Sequence, residues 1–149
     1  MSEKEYAVLE RISKDINERF GFERETPRIN YGPCGVFAYL FFHEWNRRFE
    51  DKVHICFVMT QDGEECYHVC IRLPSGELYD GGEGVHTDAR YESFRVEDMM
   101  VYQHEQLEKW SYGLNRTYPR FCPEFDRAFV KRTIETHLDE LQGAFSEQV

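Results

Sequence analysis

Between Val36 and Phe49 the chain places Val36, Phe37, Leu40, Phe41, Trp45 and Phe49 at mixed three- and four-residue steps, the spacing of a helix. Apolar side chains cover most of its girth until Asn46-Arg47-Arg48. A helix that is apolar nearly all round has to be wrapped by other elements. In a chain of 149 residues this predicts a buried central helix with a sheet and further helices around it. Pro33 suits its first position, where a missing N–H costs nothing.

The flanking segments supply those layers. Ser2 with Glu5 makes a capping-box pattern, and Leu9, Ile12, Ile16 and Phe20 follow at helical spacing, so residues 3–20 read as an amphipathic helix. Gly21 ends it, and residues 21–32 read as a loop. After the central helix, residues 53–59 are a short apolar run with β-branched members, hence a buried strand. Gln61-Asp62-Gly63-Glu64 is a turn signal. Residues 66–73 form a second strand, Pro74-Ser75-Gly76 turns the chain, and residues 77–80 form a third. Two tight connections imply an antiparallel meander. Gly81-Gly82-Glu83-Gly84 starts a flexible loop, and residues 85–95 show no clear period. Residues 96–110 are expected to be helical, anchored by Met99, Met100 and Leu107, and residues 112–121 irregular. Residues 123–141 form a last helix through Phe125, Phe129, Leu138 and Leu141, with Gly143 as its stop. There is no repeat, low-complexity tract or linker. The expected fold is a single α+β domain over residues 1–149, with N-terminal helices, a buried nucleophile-bearing helix on a small antiparallel sheet, and C-terminal helices.

Hydrophobic residues make up 41% of the chain and aromatics 15%, enough for one core, and the net charge is −10. Such an excess repels phosphate backbones, so neither nucleic acid nor an anionic membrane is an expected partner. No apolar run approaches the ~20 residues that span a bilayer, and the first residues lack a signal-peptide pattern; a cytoplasmic location is expected. Cys34, Cys56, Cys66, Cys70 and Cys122 are an odd number of cysteines, five, which argues against a disulfide framework. Those in strand-like runs, Cys56, Cys66 and Cys70, read as small buried hydrophobes.

Cys34 is different, because it falls at the first turn of the central helix. His68 lies on the second predicted strand and Asp80 ends the third. A thiol attacks a carbonyl carbon as the thiolate, which a helix N-terminus and a neighbouring imidazolium both favour. His68 would take the proton and return it to the leaving group, and Asp80 would fix the ring's tautomer. Exposed N–H groups at the helix start, Gly35 among them, would hold the oxyanion of a tetrahedral intermediate. The turn at Pro74-Ser75-Gly76 allows His68 and Asp80 to share a sheet face. Tyr31 is close enough to Cys34 in sequence to line a pocket.

The segments Gly32-Pro33-Cys34-Gly35-Val36-Phe37-Ala38 and His68 through Asp80 resemble the core of the papain-like cysteine hydrolase superfamily. The nearest branch is the transglutaminase-like one, which includes arylamine acetyltransferases. The resemblance covers roughly residues 30–88. It implies Cys34 as nucleophile, His68 as general base and Asp80 as orienter; no upstream Gln offers a second oxyanion donor, and the nearest amide, Asn30, is the candidate for that place.

His86, between Val85 and Thr87, reads either as an alternative base or substrate contact or as a solvated loop histidine. His43 is too far along the helix from Cys34 to be its base. His54, His104 and His137 have no partner visible in the sequence. Cys66, His68 and Cys70 alternate and so should face one way. However, residues i and i+2 of a strand are ~6.7 Å apart, too far for three donors to share one zinc ion; no metal and no cofactor is expected. Two functions remain. One is a thiol-dependent hydrolase or acyltransferase acting on a protein or small amide, isopeptide or thioester through an acyl-enzyme at Cys34. The alternative is a non-catalytic binding or inhibitor protein on the same fold. The sequence sets no oligomeric state.

Overall fold

The computed structural model of the chain describes residues 1–19, 34–112 and 126–147. Helix α1 spans Glu3–Arg19 and helix α2 Cys34–Arg48. Strands β1 His54–Met59, β2 Cys66–Arg72, β3 Leu78–Asp80 and β4 Gly84–His86 follow. After a 3-10 turn at Asp88–Tyr91 come β5 Arg95–Met99, α3 His104–Tyr112 and α4 Arg127–Glu147. The five strands form one antiparallel sheet in the order β4-β3-β2-β1-β5. With helices at both ends, the fold is α+β. Among the described residues no helix is long and apolar enough to cross a membrane.

Strand alternation divides the sheet's side chains between two clusters. Ile55, Phe57, Val69, Ile71 and Tyr79 join the large core that α1, α2, α3 and α4 cover. Cys56, Val58, Cys70 and Leu78 form a smaller cluster closed by Tyr91 from the 3-10 turn. Helix α2 is the wrapped element that its composition demands, with Val36, Phe37, Ala38 and Phe41 at most 1% exposed. Its four-residue row Phe37, Phe41, Trp45 and Phe49 stacks in sequence, with ring centroids 5.9, 5.7 and 4.4 Å apart. The polar end of α2 is also tied down. The buried Glu44 carboxylate accepts from Arg48 at 2.9 Å. Asn46 exchanges hydrogen bonds with the Val53 backbone at 3.1 and 2.9 Å, fixing where β1 starts.

Two contacts place β3 against the helices. The Tyr79 hydroxyl donates to the Leu9 carbonyl at 2.8 Å and lies 3.2 Å from the Ser13 hydroxyl. The next turn then passes so close to α2 that a Cβ at Gly81 would sit 2.9 Å from the Phe37 ring. Only glycine leaves room there, and the approach brings the end of β3 beside the start of α2.

The structure differs from the sequence expectations at several points. Residues 95–99 are a strand rather than the start of a helix. Arg95 and Glu97 lie on the edge strand β5, whose single partner is β1, and only residues 104–112 are helical. The loop expected from Gly81 is a short turn: Gly84 already pairs with Asp80 and begins β4. The meander therefore has more than three strands. Gly143 does not stop α4, which continues to Glu147. Gly143 is exposed, and a Cβ there would meet no atom within 4 Å, so it imposes only the ~1 kcal/mol of lost helix propensity. Phe20, the loop at 21–32, Pro33, the irregular stretch at 113–121 and the start of the last helix at 123–125 lie outside the described residues, as do Asn30, Tyr31 and Cys122.

Candidate active site

The β1–β2 ladder sets the site. Met59 pairs with Cys66 and Val58 with His68, so Tyr67 is an extra residue, a β-bulge. The Cys66 thiol donates to the His68 carbonyl across it at 3.3 Å. The bulge breaks the alternation that would have put Cys66, His68 and Cys70 on one face: Cys66 packs in the large core and Cys70 in the small cluster. It also leaves Tyr67 half exposed, stacked on Phe94 with centroids 4.5 Å apart.

On the other side of β2, Ile71 pairs with Tyr79 and Arg72 with Leu78. Carried one residue on, this register puts Asp80 opposite Cys70, so His68 is its diagonal neighbour on the same face. A diagonal pair is within reach of an aromatic ring. The His68 Nε2 and Asp80 Oδ2 atoms are 2.8 Å apart, both residues buried. The second carboxylate oxygen accepts the N–H groups of Gly82 and Glu83 at 3.0 and 2.6 Å. The Asp80 carbonyl accepts the Ser13 hydroxyl at 3.0 Å. Asp80 is thus held by the tight turn as well as by the ring.

Cys34 stands at the first residue of α2 and is 1% exposed, His68 4%. Cys34 is near enough to the His68 ring to act on its protonation. Burial works to lower the His68 pKa. The neighbouring Cys34 and the hydrogen bond to Asp80 outweigh it and push the ring up to about 10. Burial likewise works to raise the Asp80 carboxyl. The hydrogen bond from His68, the charge of that ring and the Glu83 N–H overcome it and hold Asp80 below the ordinary carboxylate range.

These protonation states fix the roles of the ring nitrogens. An ionised Asp80 can only accept, so His68 Nε2 carries a hydrogen and donates it. The nitrogen left to exchange a proton with Cys34 is Nδ1. The N–H groups of Cys34 and Gly35 lie in the first described turn of α2.

His86 is not on a solvated loop. It sits on β4, 7% exposed. Its Nδ1 is 2.9 Å from the Gly84 carbonyl, its Nε2 3.1 Å from the Tyr91 hydroxyl and 3.8 Å from Asp80 Oδ2. Sequence reading missed Tyr91 altogether; a tyrosine five residues after a histidine carries no local signal. His137 has a partner from a distant element, Asp15 on α1, at 2.7 Å. His104 pairs with Glu108 at 3.1 Å, a one-turn spacing that the sequence did carry. His43 packs on the Tyr39, Phe42 and Tyr102 rings, away from Cys34 as its helix position requires. Among the described residues no group of three or more His, Cys, Asp or Glu side chains is placed to hold a metal ion.

No family model, curated protein or solved structure matches this chain at a significant level.

Proposed function

We propose that the protein is a thiol-dependent hydrolase or acyltransferase that forms an acyl-enzyme at Cys34, in the manner of the transglutaminase-like cysteine hydrolases its motifs resemble. One observation carries this reading: a buried imidazole bonded at 2.8 Å to an ionised carboxylate, with a cysteine at the start of α2 acting on the same ring. A buried charged pair is costly to keep, and with Cys34 the site draws its three members from three separate elements.

In this reading His68 Nδ1 already holds the proton that Cys34 gives up, and the sulfur attacks the carbonyl carbon of an amide, isopeptide or thioester. The carbonyl π pair moves to oxygen, and the resulting oxyanion is met by the first-turn N–H groups of Cys34 and Gly35. Its collapse breaks the bond to the leaving group, which takes the proton from His68 Nδ1, and a thioester remains on Cys34. Water or an acceptor amine then gives its proton to the same nitrogen and attacks the thioester. The sulfur leaves and regains the proton. Asp80 stays ionised throughout and keeps Nε2 protonated. A protein or a small acyl or amide compound is the substrate class this chemistry fits.

The test uses p-nitrophenyl acetate, whose acyl group needs no recognition. Burst release of p-nitrophenol with one acetyl group on Cys34 by mass spectrometry is the expected result, lost in Cys34→Ala. Acetylation spread over the cysteines, or none, would reject the proposal. The 1% exposure of Cys34 favours a second reading, a binding or inhibitor protein in which these residues are structural. That reading predicts no burst and a Cys34→Ala protein whose behaviour is unchanged.

A further inference from the structure

Asp80 faces two imidazoles, and only one of them is bonded to it. His68 Nε2 is 2.8 Å from Asp80 Oδ2, while His86 Nε2 is 3.8 Å from the same oxygen. If both rings donated to that oxygen, the carboxylate would be divided between them and His68 would lose part of its anchor.

The surroundings of His86 show what prevents this. The Gly84 carbonyl can only accept, so the 2.9 Å contact requires a hydrogen on His86 Nδ1. In the neutral ring Nε2 then carries a lone pair, and the Tyr91 hydroxyl at 3.1 Å is placed to donate to it. Tyr91 is itself 6% exposed and packs against both rings, its centroid 5.6 Å from His86 and 6.2 Å from His68. Every polar atom of His86 is satisfied in this one tautomer, with nothing left to offer Asp80. The other charged groups nearby, Glu83 in the turn and Asp88 after β4, are each paired with an arginine, Arg90 and Arg72.

We infer that Tyr91 and His86 are positioning residues: the Tyr91 hydroxyl holds His86 neutral, with its proton on Nδ1, so that Asp80 serves His68 alone. The inference rests on the acyl-transfer reading for its purpose, but the arrangement is testable without activity. Without the hydroxyl, the Nε2 lone pair would be buried near the Asp80 carboxylate with no donor. The ring would then bind a proton and turn Nε2–H toward Asp80 Oδ2.

Nitrogen-15 NMR of the histidine rings at pH 7 tests this on the native protein first. His86 should show a protonated Nδ1 and an unprotonated Nε2; a proton on Nε2 in the native protein overturns the inference with no variant needed. In Tyr91→Phe, which removes one oxygen and keeps the ring, His86 Nε2 should become protonated. Alkylation of Cys34 by iodoacetamide should slow about three- to tenfold, the size of one weakened hydrogen bond. A His86 signal unchanged in Tyr91→Phe also overturns it. If the NMR pattern appears as expected while native Cys34 is no more reactive than Cys56 or Cys70, the acyl-enzyme reading fails and the assignment of Tyr91 and His86 stands.

Discussion

Replacing Asp80 with alanine is expected to destabilise the protein by about 3–5 kcal/mol, because one partner of a buried charged pair is removed and the other is left. The carboxylate has more than one client. It accepts His68 Nε2–H and the N–H groups of Gly82 and Glu83, and all would be orphaned. Asp80→Asn should cost less, since an amide oxygen can still serve either the turn or the ring. Denaturant unfolding at pH 6 measures both; a loss under 1 kcal/mol for Asp80→Ala would contradict the account.

The pH dependence adds a check whose sign is fixed. Asp80 titrates below its ordinary value of 3.8 in the folded protein, so its contribution is present above that pH and is lost as pH falls further. His68 is raised from 6.5 to about 10, so its contribution is full below pH 6.5 and is lost as pH rises toward 10. Native stability from this pair therefore peaks between those limits and declines on both sides. In Asp80→Ala the acid-side decline should shrink.

Replacing His68 with alanine should slow acetylation of Cys34 by p-nitrophenyl acetate about 10²–10⁴-fold, the usual worth of a positioned general base. Among the described residues no other base near Cys34 can replace it. His43 is packed among rings farther along α2, and His86 has both nitrogens engaged. Because the substitution also leaves Asp80 buried without its partner, the rate has to be read on protein shown to be folded. Partial recovery with added imidazole would tie the loss to the missing base. An acetylation rate in His68→Ala within threefold of native would exclude a catalytic histidine.

The elements that sequence revealed are those whose signals are local. The Ser2 cap is real: its hydroxyl accepts the Glu5 N–H at 3.1 Å. Helix α2 was legible because its apolar girth leaves it one place to go, and β1 to β3 because tight turns separate apolar runs. Strand β5 was missed because an edge strand is half solvated. Arg95, Glu97 and Asp98 resemble a polar helix face until β1 is known to pair with them. Strand β4 is three residues long and begins at glycine, too little pattern to read.

Within the site, Cys34, His68 and Asp80 could be singled out by residue type and order. Three determinants of their geometry could not. The bulge at Tyr67 is a property of two strands together. The close pass of Gly81 over Phe37 depends on how the sheet docks on α2. The partnership of His86 with Tyr91 depends on where the 3-10 turn closes over the small cluster. Each is set by packing between elements, which no spacing within a single segment encodes.

The central claim is that Cys34 and the Asp80-bonded His68 ring are coupled inside the protein. Nitrogen-15 NMR titration of His68, in the native chain and in Cys34→Ala, tests it most directly. The account predicts a native ring that stays protonated up to about pH 10, with the midpoint falling by about 1–3 pH units once Cys34 is removed. A native midpoint near 6.5 that Cys34→Ala leaves in place would contradict it.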